Sequence, residues 1–417
     1  MKFLKRSQSW LIRLFTPLIL FALLPSAVQA SIQQKSAKIR PGIQVLLEDS
    51  LHLVKDRRVG LVTNQTGVDS EGSSSIDLLF NHPQVDLIAL FSPEHGIRGD
   101  LDPGEEVEDG VDPRTGLSIY SLYGNNRKPT PEMLRNVEVL LIDLQDIGAR
   151  YWTYISTMTL SMEAAFENGV SVVVLDRPNP IGGNVQGNML YPEFSTFVGR
   201  YPIPMRHGMT SGEMALYYQG EFNIPGPLHI APVSGLGRNM TFEETQLPWI
   251  KPSPNMPTVE SALHYPGICL FEGTYLSVGR GTDRPFQVVG SPWLNGENLA
   301  ERMRHYGFAG VSFKAVTFTP QNPGDGKFDG IEVHGVQLIA TSTDYDPTEV
   351  AVALLVETYK MSGDKWEWLT SHFDRLAGTD SLREGIVAGS AAQDLVSDWP
   401  NQLQDFLAIR DQYLIYP

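Results

Sequence analysis

Four apolar runs punctuate the first half of the chain, at residues 59–63, 85–90, 137–142 and 170–175. Each is rich in β-branched residues, lacks the alternation of a strand with one wet face, and is bounded by turn residues, which predicts strands buried on both sides. Between them, residues 75–80, 131–134 and 157–168 repeat apolar side chains at helical spacing, the last stretch ending at Gly169. Strands alternating with helices predict βαβ units, and so an α/β fold with a parallel sheet covered by helices on both faces.

Beyond residue 200 the pattern changes. A proline-rich stretch leads to a helix expected from residue 211, capped by Thr210 or Ser211, with Glu213 in its first turn as a helix-start residue rather than a catalyst. Residues 251–257 read as an extended linker between two domains or as a rigid wall of the site. Strands at 313–318 and 331–338 and a helix at 348–359 then predict a smaller α+β domain. The expected organisation is a first domain over residues 31–262 and a second over 263–417, the last third of the chain otherwise offering little chemistry.

Residues 1–30 do not belong to either domain. Lys2, Lys5, Arg6 and Arg13 precede an apolar stretch at 14–24, and Val28-Gln29-Ala30 supplies the small residues of a cleavage site. This is the pattern of a signal peptide, and it predicts export to a periplasm or the medium. The apolar stretch is shorter than the roughly 20 residues that span a bilayer, so no membrane association beyond export is expected. Without this segment, 28 Lys and Arg face 48 Asp and Glu, a charge of −20 against −16 for the whole chain. So acidic a protein is not expected to partner nucleic acid or an anionic membrane. Cys269 is the single cysteine, so core burial rather than an internal disulfide must stabilise the fold.

The chemistry gathers where the four strands end. They run into Asn64-Gln65-Thr66-Gly67, Ser92-Pro93-Glu94-His95-Gly96, Asp143-Leu144-Gln145-Asp146-Ile147-Gly148 and Asp176-Arg177-Pro178-Asn179-Pro180. Ligands of open α/β sheets bind beyond the carboxyl ends of the strands, which makes Asn64, Glu94, His95, Asp143, Asp146 and Arg177 candidate site residues. Neither a Gly-x-Gly-x-x-Gly turn nor a Gly-x-x-x-x-Gly-Lys-Ser/Thr loop follows any strand, so the backbone cradle for a nucleotide phosphate is missing. Glu94, His95 and Asp143 could hold a hard cation, but the nine histidines show no zinc-ligand spacing, and neither metal nor cofactor is expected. A second dense stretch, residues 265–286, combines Glu272, Arg280, Asp283 and Arg284 with aromatic rings and four glycines. That is the composition of a rigid polar pocket.

These strand-end motifs, together with Gly60-Leu61-Val62-Thr63, Pro254-Asn255-Met256-Pro257 and Phe271-Glu272-Gly273-Thr274, resemble in order those of the exo-acting β-N-acetylmuramidase family. The resemblance covers nearly all of the chain after the signal. It implies a Rossmann-like domain followed by a smaller C-terminal domain, with the active site in the cleft between them. It also implies a glycosidase of cell-wall turnover and recycling, which releases N-acetylmuramic acid from the non-reducing end of peptidoglycan-derived saccharides.

Glycosidic cleavage generally needs a protonated carboxylic acid and a second carboxylate. Glu94 is the expected acid, since desolvation beside an apolar strand end favours a protonated carboxyl group, and His95 would orient it. Glu272 is the expected partner, with Asp143, Asp146 and Asp283 as competitors. The lactyl carboxylate of muramic acid calls for an arginine: Arg280 and Arg284 first, then Arg177 and Arg206. Tyr151 and Tyr275 could stack on sugar faces. The alternative is a non-catalytic muropeptide- or sugar-binding protein that keeps the cleft without the turnover.

Overall fold

The computed structural model describes residues 38–98, 105 and 108–417; the expected export signal at residues 1–30 lies outside them. The central sheet is built from β1 (Arg58–Thr63), β2 (Asp86–Ser92), β3 (Gly110–Val111), β4 (Ser118–Ser121), β5 (Val139–Asp143), β6 (Ser171–Leu175) and, after the antiparallel pair β7 (Gln186–Met189) and β8 (Pro204–Arg206), β9 (Leu228–Ala231). The strand order is β3-β4-β2-β1-β5-β6-β9. All pairings are parallel except that of the short β3 on β4. Without β3 this is the Rossmann order, in which the chain starts at the centre, runs out to one side, then returns and runs out to the other. The reversal falls between β1 and β5.

The four strands anticipated from apolar runs are the four central ones. Flanking β4 and β9 carry Ser118, Ser121 and His229 and are only partly buried, so no apolar run marks them. Alternation along the central strands feeds two cores. Val59, Leu61, Val139, Leu141, Val173 and Leu175 pack on one face with Ile43 and Leu46 of the helix Gly42–Asp49 and with Ile76 and Leu79 of the helix Ser75–Phe80. Val62, Leu140, Ile142, Val172 and Val174 pack on the other face with the helices Thr153–Glu167 and Ser211–Glu221. With each such side chain contributing about 1.5–3 kcal/mol on full burial, this two-sided packing is what fixes the sheet. The second core continues without a break into the C-terminal half, as far as Leu354, Phe373 and Phe406.

That half contains an antiparallel sheet of β10 (Val288–Ser291), β11 (Val311–Phe318) and β12 (Val333–Ala340), in the order β10-β12-β11. The helices Gly296–His305, Pro347–Ser362 and Thr370–Ala377 accompany it. The connection from β11 to β12 covers residues 319–332 and has left-handed backbone at Asn322, Gly324, Gly326, Phe328 and Gly330. It is much longer than the two to five residues of an ordinary hairpin loop. Residues 251–257 form a wall, with Ser253 and Met256 buried. Thr210 and Glu213 make a reciprocal capping box at the start of the Ser211–Glu221 helix, and Glu213 pairs with Arg238, in keeping with a helix-start role. Residues 415–417 return to the central sheet. The Ile415 amide donates to Glu213 (2.9 Å), the Tyr416 hydroxyl donates to Asp176 (2.5 Å), and the Arg238 amide donates to the Pro417 carbonyl (2.7 Å).

Candidate active site

A cavity of about 470 Å³ opens beyond the carboxyl ends of β2, β4 and β5 and is closed on its far side by the C-terminal half. This volume suits a small ligand. Glu94 and His95 enter it from the loop after β2, Tyr123 from the segment after β4, and Thr153 from the first position of the Thr153–Glu167 helix. In the Glu94 turn the Gly96 amide donates to the Pro93 carbonyl (3.1 Å). His95 has a left-handed backbone, φ 72°, followed by Gly96 at 76°. A non-glycine residue in that region is strained, and such strain concentrates at functional sites.

Glu94 and His95 are both buried. The Thr153 hydroxyl donates to Glu94 Oε2 at 2.6 Å, and Tyr123 lines the same cavity near enough to feel the Glu94 charge. Burial, and then the Glu94 charge, push the Tyr123 phenol pKa far up, so it stays protonated. Hydroxyls can either donate to a carboxylate or accept from a carboxylic acid, so this setting suits both forms of Glu94.

Glu272 is set differently. It lies in the short 3₁₀ turn Cys269–Gly273, and Arg280 Nε donates to its Oε1 at 2.7 Å while Nη2 bonds the same oxygen. Burial raises the carboxyl pKa, but the charge and hydrogen bonds of Arg280 outweigh it, with smaller help from Lys327, and the net direction is down. Glu272 is therefore an anion. Its Oε2 faces the Cys269 thiol at 3.4 Å, a thiol whose pKa burial pushes well up. Arg280 also lies over the Phe286 ring, 5.4 Å from its centroid.

The turn that carries Glu272 is held by Lys327, from the long β11–β12 connection. Its ammonium lies 3.3 Å from the carbonyls of Glu272 and Leu276 and 3.5 Å from that of Phe271. Leu369, His372, Arg375 and Leu376 line the cavity from the Thr370–Ala377 helix and the residue before it. Lys327, His372 and Arg375 were not anticipated, and the C-terminal third contributes more chemistry than its sequence suggested. Two signals were available: a hairpin connection too long for its task, and a His–Arg pair at i, i+3 on an amphipathic helix.

Glu94, His95, Glu272 and Arg280 are thus brought together. The other expected site residues are not among the cavity's lining residues. Asp143 and Arg177 form a buried bidentate pair (2.6 and 3.1 Å) at the β1/β5 reversal, where Asp143 also accepts from Ser75 (2.5 Å) and Arg177 donates to the Val68 carbonyl (2.6 Å). Asn64 bonds Tyr154 (2.8 Å) and Thr66 (2.6 Å). Asp146 accepts from the Gly148 amide (2.6 Å) beside His207. Arg206 is fully buried among Gln186 Oε1 (2.7 Å) and the carbonyls of Ile181 and Thr343, and burial pushes its pKa down to about 10. Asp283 is exposed and pairs with its neighbour Arg284 (3.1 Å), which also reaches Gln337. Tyr151 lines the cavity but Tyr275 does not. Among the described residues, no three His, Cys, Asp or Glu side chains gather in a group that could hold a metal ion, and Asp143 is paired with Arg177 away from the cavity that Glu94 and His95 line.

A Rossmann-like sheet whose cleft holds one carboxyl group among hydroxyls and another clamped by an arginine has the make-up of a glycosidase. Residues 59–260 match the N-terminal part and residues 263–416 the C-terminal part of exo-β-N-acetylmuramidase NamZ. The chain belongs to that family. It is 44% identical over 385 residues to the peptidoglycan β-N-acetylmuramidase NamZ of Bacillus subtilis (strain 168), covering 92% of each protein. Two crystal structures of DUF1343 family proteins from Bacteroides fragilis NCTC 9343 share its fold, at TM-scores of 0.84 and 0.73 with 36% and 30% identity. Each match covers 91% of this chain and 99% of the other.

Proposed function

We propose that this protein hydrolyses the β-glycosidic bond of a terminal N-acetylmuramic acid in peptidoglycan-derived saccharides, with Glu94 as the proton donor and Glu272 as the anionic partner. The observation that carries the reading is the contrast between the two carboxyl groups of one cavity. Glu94 accepts from the Thr153 hydroxyl, a group that can also act as an acceptor. Glu272 is held ionised by Arg280. A general acid and a fixed negative charge are what departure of a protonated leaving group and a positively charged, oxocarbenium-like transition state require.

The backbone at His95 turns Glu94 into the cavity, so His95 is a positioning residue. Lys327 positions Glu272 through the carbonyls of its turn. The amino-terminal signal pattern supports action outside the cytoplasm, where wall fragments arise.

The test is sugar release from a chromogenic β-N-acetylmuramic acid glycoside, run beside the N-acetylglucosamine glycoside and with Glu94→Gln. Release from the muramic compound, lost in the variant, is expected. If the folded protein binds the sugar equally well with and without the substitution and releases nothing in either form, it is a binding protein instead.

A further inference from the structure

The positive charges around the cavity are unequally spent. Arg280 gives two donors to Glu272. Lys327 gives its donors to three main-chain carbonyls. Arg375 has no Asp or Glu oxygen within 4.0 Å among the described residues, whereas its sequence neighbour Asp374 is taken by Arg383 (2.8 and 2.9 Å). Among the described residues its hydrogen bond runs from Nη2 to His372 Nδ1 at 2.5 Å, and the side chain lines the cavity. A guanidinium that lines a cavity with no carboxylate beside it is a charge that an anionic ligand can complete.

His372 makes the arrangement directional. Burial, and then the Arg375 charge, lower the imidazole's pKa, so the ring is neutral. With Nδ1 accepting from Arg375, its proton sits on Nε2. The contact fixes one corner of the guanidinium and leaves its other N–H groups for a planar acceptor. Arg375 also lies near enough to Tyr123 for its charge to act on that phenol, which shares the cavity with Glu94.

We propose that Arg375, held by His372, is the anchor for a carboxylate on the bound sugar and sets the preference for an acidic over a neutral sugar. This rests on the function proposed above, in which the carboxylate is that of the lactyl ether. The arginines first expected in this role, Arg280, Arg284, Arg177 and Arg206, are already engaged within the protein. A guanidinium with free parallel donors binds a carboxylate through two hydrogen bonds, which an amide or a hydroxyl cannot reproduce.

The experiment compares wild type, Arg375→Met and Arg375→Lys on three chromogenic glycosides: β-N-acetylmuramic acid, its lactyl methylamide and β-N-acetylglucosamine. Arg375→Met should lose roughly a hundred-fold in kcat/KM on the acid, as expected when one partner of a desolvated charge pair is removed. On the methylamide it should stay within about threefold of wild type, so that discrimination between acid and amide collapses. Arg375→Lys should recover part of the loss on the acid alone, and it carries the comparison if Arg375→Met does not fold. Equal losses on acid and amide, or no loss on the acid, would overturn the assignment. Failure of the functional reading looks different, because wild type would then release sugar from none of the three. In that event calorimetry with free N-acetylmuramic acid and N-acetylglucosamine decides: a preference for the acid that vanishes in Arg375→Met upholds the anchor, and its absence in wild type removes it.

Discussion

Two groups of ionisable residues lie beyond the carboxyl ends of the central strands, and they differ in what they leave unspent. At the β1/β5 reversal, where Rossmann-like sheets commonly bind ligands, Asp143, Arg177, Ser75 and the Val68 carbonyl satisfy one another. The packing there is close enough that a Cβ on Gly67 would sit 2.2 Å from Thr63 Oγ1. In the cleft beyond β2 and β4, Glu94 accepts from the Thr153 hydroxyl and Arg375 lines the cavity with no Asp or Glu oxygen within 4.0 Å among the described residues. The first cluster is a plug and the second a socket. Density of charge marks the functional edge of the sheet, whereas a charged side chain facing an open cavity without an opposite charge beside it marks the site.

The sharpest way to break this contrast is through its two ends. Glu94→Gln should lower kcat by about 10²–10⁴ while the thermal midpoint stays put, measured on the muramic acid glycoside with a parallel melt. Asp143→Ala should do the reverse. Removing one partner of a buried ion pair costs about 3–5 kcal/mol, read by urea unfolding, with turnover per folded molecule retained. Normal stability with lost turnover in that variant would move Asp143 into the active site.

A subtler test uses Asp176, which burial above all raises from 3.8 to about 6 against the hydrogen bonds from Tyr416, Thr210 and Gly212. The native state then holds this proton more tightly than the unfolded chain does. Its contribution to stability is full below about pH 4 and is lost as the pH rises through 6, a span worth about 3 kcal/mol. Urea midpoints of wild type should fall across that window, and those of Asp176→Asn should be flatter; identical slopes would remove the effect. The smallest expected change is at Asp283→Ala, where an exposed neighbour of Arg284 should alter neither melting nor kcat/KM.

Much of this fold was legible because apolar runs and strand-end turns are local. The parallel sheet, Glu94 at the end of β2 and the Glu272 stretch followed from residues within a few positions of one another. What was not legible is long-range pairing. Nothing near Arg177 says that Asp143 will neutralise it, and nothing near Arg206 says that Ile181 and Thr343 will supply carbonyls to it. Arg375 was missed for the opposite reason, because its significance lies in the partner it lacks. The motif resemblance located the cleft, but which arginine stands free is a property of three-dimensional bookkeeping.

The return of residues 415–417 to the central sheet carries a consequence for how the protein is made. The Tyr416 hydroxyl completes the shell around Asp176 across 240 positions of sequence. At about 5–20 residues per second, the ribosome needs roughly 10–50 s to cover that distance. Through that interval the carboxyl group just beyond β6 cannot receive its last donor, so this part of the sheet is completed only once the whole chain has been made. A chain lacking its last few residues would leave that buried carboxyl group one hydrogen bond short.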